Sequence, residues 1–222
     1  PMMCMAIYAK KYMGLTDKIA FISPCIAKKT EIQDPDNRNY VEYNVTFSHL
    51  MKYVRENKIS GAPVSGEIEY GLGSIYPMPG GLKENVYWLL GEDVLIRQME
   101  GEKHMYEYLE SNKERIKKGN LPYLFIDALN CSGGCLYGTA VEEEIAKTED
   151  PYIAVGKIKQ QSKKDHGKTA WVRKLPPQKR LKELNESFKA LDLNDFIRHY
   201  TDKSANCKIK NPTEGQLQEV FC

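Results

Sequence analysis

The sequence predicts an α/β fold with largely parallel sheets, and three observations carry that prediction. Lys18 to Ser23 (KIAFIS) and Tyr123 to Leu129 (YLFIDAL) are short, nearly continuous apolar runs, the pattern of strands covered on both faces. Helical periodicity alternates with them, most clearly over Lys103 to Lys118. Each apolar run leads straight into a cysteine-bearing loop, at the carboxyl end where open α/β sheets place their ligand sites.

In chain order, Met2 to Met13 reads as a helix with Met3, Ala6, Ile7 and Lys10 at helical spacing. The KIAFIS strand follows and runs into Pro24-Cys25. A second helix starts near Thr46 or Ser48, either of which can cap it, and includes Leu50, Met51 and Val54. Gly61 to Gly81 is rich in glycine and proline and reads mostly as loop. Pro79-Gly80-Gly81 leads into a helix over 82–89, Val94 to Met99 reads as a strand, and Gly119 stops the helix that begins at Lys103. After the YLFIDAL strand comes Asn130-Cys131-Ser132-Gly133-Gly134-Cys135. Beyond about Asp150 the composition changes. Lys157 to Lys182 is strongly basic and is expected to be solvated. A helix after Pro176-Pro177 carries Leu181, Leu184, Phe188 and Leu191 on one face, Asp192 to Tyr200 continues the helical tendency, and Thr213 with Gln216 forms a capping box. The division expected is a main domain over 1–150 and a basic helical tail or connector over 151–222.

A chain of 222 residues buries roughly 70% of its unfolded surface, as one sizeable domain or two small lobes. With 41% hydrophobic and 28% charged residues it reads as an ordinary soluble globular protein. A net charge of +2 is too small to argue for nucleic acid. No run approaches the ~18 apolar residues of a membrane span and no secretory leader opens the chain, so the expected location is cytoplasmic. The chain opens on Pro1 inside a helical pattern and closes on Phe221-Cys222 just after a helix start, so a piece of a longer protein is expected.

The six cysteines are Cys4, Cys25, Cys131, Cys135, Cys207 and Cys222. In a reducing compartment, cysteines in strand-end loops point to metal or cluster ligation rather than disulfides. Pro24 fixes the backbone before one thiolate. Gly133 and Gly134 let two sulfurs face one object while the backbone approaches closely. Zinc competes as the occupant, but it usually takes two close pairs of Cys or His ligands, and here one close pair and one isolated Cys stand without a His. Spacing alone leaves both open. Cys4 reads as a helix-packing residue, and Cys207 and Cys222 as non-ligands, with the start of a further cluster module the lesser reading of Cys222. The four histidines are scattered and read as structural or exposed.

Pro24 to Glu31 (PCIAKKTE) resembles the second signature of the iron-only (FeFe) hydrogenases, Pro-Cys-x-x-Lys-x-x-Glu, and Cys131 to Cys135 resembles the third, Cys-x-x-Gly-Cys. Pro79-Gly80-Gly81 before a helix is similar to the Gly-Gly stretch between those signatures, and the opening helix to the one before the second. The resemblance is to the C-terminal domain of the large chain of these enzymes, and it covers roughly 1–145 with the elements in the same order. It implies two lobes of mostly parallel sheets flanked by helices, a cluster site in the cleft between them, and a helical C-terminal tail. It further implies a 4Fe-4S cluster ligated by Cys25, Cys131 and Cys135, the last bridging to a diiron subsite (the H-cluster). Lys28 would reach a cyanide of that subsite and Glu31 would orient the lysine, because a buried ammonium requires an anionic partner.

The first signature, with the first cluster cysteine, is expected upstream of Pro1, so this chain by itself is expected to bind a cluster weakly or to be metal-free. Ser23 and Leu129 stand where the family usually has methionines, and Tyr137-Gly138-Thr139 stands where it has a glycine run. These departures look like the divergent, sensory branch of the family. Three functions stay open: reversible proton reduction and hydrogen oxidation, iron–sulfur electron transfer or redox sensing, and an interaction module that binds no metal. The expected partners are an electron-transfer protein or an attached iron–sulfur or signalling domain, with hydrogen and protons as substrates.

Overall fold

A computed structural model of the chain describes residues 2–37, 39–61, 73–142, 150–164, 174–202, 205 and 213–215. The fold is α/β, with two parallel strand pairs flanked by helices. Strand β1 (Ala20–Ser23) pairs with β2 (Tyr43–Thr46) in the register Ala20↔Tyr43 to Ser23↔Thr46. Helix α1 (Met2–Ile7) precedes this pair, and α2 (Lys28–Gln33) lies in the crossover between its strands. Helices α3 (Phe47–Glu56) and α4 (Gly81–Leu90) follow. Strand β3 (Ile96–Glu100) then pairs with β4 (Phe125–Leu129), from Ile96↔Phe125 to Glu100↔Leu129, across helix α5 (Glu102–Lys117). Parallel neighbours require such crossovers, so the two pairs are two strand–helix–strand units. Helices α6 (Pro151–Lys164) and α7 (Pro177–Ser187) close the order.

Local chemistry accounts for the helix ends. Thr46 caps α3 by accepting the His49 N–H at 3.5 Å, so Thr46 and not Ser48 is the cap. Gly80, at φ +76°, begins α4 without a side chain to cap it. The buried Asp127 of β4 supplies the missing acceptor, taking the Lys83 N–H at 3.0 Å. That acid explains the polar interruption of the YLFIDAL run. Gly119, at φ +64°, follows the end of α5 as expected.

Several expectations are corrected. The opening helix is α-helical only to Ile7; Tyr8–Tyr12 is a wider π turn, closed by Met13 N–H donating to the Tyr8 carbonyl at 3.0 Å. Its rings meet the C-terminal segment, Tyr8 edge-on to Phe188 at 5.6 Å and Tyr12 stacked on Phe196 at 6.0 Å. The Tyr12 hydroxyl and the Lys11 ammonium both bond Asp195. Strand β1 is covered on one face only: Ser23 is fully buried while Ile22 is 47% exposed. The reason is one-sided packing, because the cluster of Met2, Ala6, Ile32 and Val41 lies on the Phe21 side. Cys4 is exposed rather than packed, since it lies across the helix from Met2 and Ala6. Over Asp192 to Tyr200 only Leu193–Phe196 forms a short 3-10 turn, capped by the Asp192 carboxylate, and Ile197 is already extended.

Helix α6 lies in the stretch expected as a basic helical tail, although the sequence assigns no helix bounds there, and the basic stretch is not simply solvated. Lys159 pairs with Glu84 of α4. Arg180 donates to the Trp88 carbonyl at 2.7 Å, with its guanidinium 3.7 Å from the Trp88 ring centre. Val155 of α6 buries against Ile75, joined by Met78, Trp88 and Leu136. Of the 61–81 loop, 62–72 lie outside the described residues, and Gly73–Ile75 forms a 3-10 turn. Gln216 of the capping box also lies outside them. Among the described residues no helix is long and apolar enough to cross a membrane.

Ile75 is 0% exposed at the centre of this second core. Ile75→Ala is expected to destabilise the fold by about 2–5 kcal/mol, read as a lower urea midpoint with an unchanged slope. A loss below about 1 kcal/mol would contradict the packing described.

Candidate functional site

The first cysteine loop is organised from the end of β1. The buried Ser23 hydroxyl accepts the Cys25 N–H at 3.0 Å and donates to the Cys25 carbonyl at 2.9 Å, which closes a tight turn around Pro24. Asn44 of β2 donates from Nδ2 to the same carbonyl at 3.2 Å. The Ala27 N–H points at the Cys25 sulfur at 3.3 Å. Helix α2 begins at Lys28, so the segment after Cys25 that the sequence presents as loop is helical from that residue on. Lys28 and Glu31 therefore share a face at i, i+3, and they form an ion pair.

The second loop leaves β4 at Leu129. Gly134 sits at φ +63°, where L side chains are strained, and a Cβ there would come within 2.8 Å of the Pro77 carbonyl oxygen. The Cys135 N–H donates to that same oxygen at 2.9 Å. The stretch 77–79 thus backs the Cys135 turn, and only glycine fits at the point of approach.

Three residues after Cys135, the chain clasps the first loop. The Ala140 N–H donates to the Pro24 carbonyl at 2.9 Å, and the Ile26 N–H donates to Thr139 Oγ1 at 3.3 Å. Thr139 Oγ1 lies 4.0 Å from Cys25 Sγ, as donor. A Cβ on Gly138 would overlap the Pro24 carbonyl oxygen, so the backbones touch there. The Ala140 carbonyl in turn accepts the Ser48 N–H at 3.1 Å, which fastens the clasp to the start of α3.

Electrostatics tie the two loops as well. Burial pushes the Cys135 thiol above its ordinary range; the Lys28 ammonium acts against that, while Cys25 and Cys131, when ionised, add to it. Cys25, Cys131, Cys135 and Lys28 are therefore within electrostatic reach of one another's chemistry at Cys135, and Glu31 joins them through Lys28. Cys25 and Cys135 are half-buried and Cys131 is exposed. Cys4 is exposed on α1, and Cys207 and Cys222 lie outside the described residues. Among the described residues no three Cys, His, Asp or Glu side chains are grouped as ligands of a single metal ion.

The sequence profile of the family described as iron only hydrogenase large subunit, C-terminal domain, matches residues 1–113. The chain belongs to this family. No curated protein matches it. The hydrogenase-family match spans α1 to most of α5 and includes Cys25, Lys28 and Glu31; it ends before Cys131 and Cys135. Those two cysteines are joined to the hydrogenase-like portion by the clasp. Sequence reasoning missed Ser23 and Asn44 as supports of Cys25, and Thr139 as its neighbour. Ser-Pro-Cys is itself a turn signal for Ser23; Asn44 and Thr139 left none, because their contacts with Cys25 span 19 and 114 positions.

Because burial favours the neutral thiol of Cys135, a smaller fraction of it is thiolate at any given pH, and Lys28→Met removes the cation that opposes this. In the reduced, cluster-free protein at about pH 8, differential alkylation read by mass spectrometry is expected to label the exposed Cys131 before Cys135. Lys28→Met is expected to slow Cys135 further. Equal labelling rates, or a faster Cys135 in the variant, would contradict the placement.

Proposed function

We propose that Cys25, Cys131 and Cys135 ligate a 4Fe-4S cluster, with Lys28 and Glu31 serving a group bound beside it, in a hydrogenase-like domain. The observation that carries this reading is the clasp that joins the two cysteine loops, in which the Ala140 N–H donates to the Pro24 carbonyl at 2.9 Å and the Ile26 N–H donates to Thr139 Oγ1 at 3.3 Å, between segments more than a hundred positions apart. The donor set suits the group. The thiolates of a cubane each bind a different iron, so they stand farther apart than ligands of one ion and need no tight tetrahedron.

When bound, such a cluster supplies electron transfer, and a diiron subsite on it supplies the interconversion of two protons and two electrons with hydrogen. The chain's own contribution is placement. Ser23 and Asn44 lock the Cys25 backbone, Gly134 lets Cys135 turn beneath 77–79, and Glu31 holds the Lys28 ammonium until an anionic ligand competes for it. Electron transfer or sensing without turnover is the second reading. One observation favours it: the residue before Pro24 is a serine, whose hydroxyl donates to the Cys25 carbonyl and accepts the Cys25 N–H, where the hydrogenase signature usually has a thioether. An electron-transfer protein, or an attached iron–sulfur or signalling domain, is the partner either reading requires.

Anaerobic iron–sulfur reconstitution of the full-length protein tests both. Cubane absorption together with infrared bands of carbonyl and cyanide is expected for hydrogen chemistry, and the absorption without those bands for the second reading. Cys25→Ser and Cys135→Ser should each lower iron retention by more than the roughly 10–100-fold that loss of an outer-shell partner costs. Full-length protein free of iron under all conditions would overturn the proposal.

A further inference from the structure

We infer that Thr139 is a positioning residue for the Cys25 thiolate, its hydroxyl donating a hydrogen bond to the sulfur that raises the potential of the bound cluster. The inference rests on the cluster reading above and names a residue that neither cysteine motif contains.

The geometry defines both ends of the hydroxyl. Its oxygen accepts the Ile26 N–H at 3.3 Å, which orients it over the loop, and the Cys25 sulfur lies 4.0 Å away on the donor side. A threonine hydroxyl has one proton and two lone pairs, so accepting from Ile26 leaves that proton free for the sulfur. The position is held by backbone on both sides. Gly138 abuts the Pro24 carbonyl oxygen, and the Ala140 N–H donates to it at 2.9 Å. The backbone of Thr139 is thereby held beside the Cys25 loop by its two neighbours.

The sulfur has a second donor of different kind, the Ala27 N–H at 3.3 Å. That backbone donor comes with the loop, whereas the Thr139 donor can be changed by substitution. Hydrogen bonds to a ligating thiolate stabilise its negative charge, and more so in the reduced cluster, which carries the extra electron. Removing the donor therefore makes reduction harder. The consequence is directional: the hydroxyl shifts the potential upward, and it links that potential to the clasp that joins the two cysteine loops.

The test uses the full-length protein, reconstituted anaerobically, with cluster content measured as iron per chain and the midpoint potential by redox titration of the paramagnetic signal. Thr139→Val, nearly the same shape without the donor, is expected to keep the fold by circular dichroism and to show a lower potential. Thr139→Ser is expected to restore the wild-type value. Should Thr139→Val lose the cluster, Thr139→Ala provides the same comparison, and loss from both with retention in Thr139→Ser also supports the role of the hydroxyl. A Thr139→Val or Thr139→Ala cluster with the wild-type potential would overturn the inference while leaving the cluster reading intact. A wild-type protein that takes up no cluster would overturn the reading and the inference together.

Discussion

The hydrogen bond from the Ala140 N–H to the Pro24 carbonyl is the contact on which the arrangement of the site depends. The cysteine loops leave different strand pairs, and nothing in either pair's register brings them together. The clasp does, because Gly138 has no Cβ to keep the two backbones apart. The accepting carbonyl belongs to Pro24 itself and lies inside the turn that Ser23 closes on Cys25, so the bond constrains Cys25 as well as the segment that donates. With Ala140 also accepting the Ser48 N–H, the clasp spans β1, the start of α3 and the turn that carries Cys135.

Around this joint the fold places its polar groups economically. Ser23 uses one hydroxyl to satisfy both backbone groups of Cys25, and Asp127 caps a helix whose own start is glycine. Buried polar atoms of this kind are tolerable because they are paired, and each pairing fixes one piece of site backbone. Among the described residues Asn44 Oδ1 departs from that rule, and it belongs to the side chain that supports the Cys25 carbonyl. The helices beyond Asp150 add a separate brace. Arg180 on Trp88 and Val155 on Ile75 hold α4, the helix that leads out of the Gly80-Gly81 turn.

What the sequence made legible followed from apolar pattern. β1 and β4 were recognisable as short apolar runs, α5 as a long amphipathic helix, and the Pro-Cys and Cys-x-x-Gly-Cys loops by their residues. β2 was not legible, since Tyr-Asn-Val-Thr is half polar and takes its conformation from pairing with β1. Helix α2 (KKTEIQ) escaped because Ile32 is its single apolar residue. The π turn at Tyr8–Tyr12 escaped because one extra residue per turn hardly alters a short apolar pattern. The candidate ligands could be named from motifs, but the contacts that join their loops could not. Thr139 and Cys25 are 114 positions apart, and such a pairing exists only in the folded chain.

The most direct test of the account is whether the Cys25 and Cys135 thiols meet in solution. Treatment of the reduced, cluster-free protein with a short bifunctional thiol reagent such as dibromobimane, followed by peptide mapping, reads this out. A bridged peptide joining residues 25 and 135 is the predicted product, diminished in Gly138→Ala. Bridging confined to Cys131 and Cys135, with Cys25 only singly modified, would contradict the account.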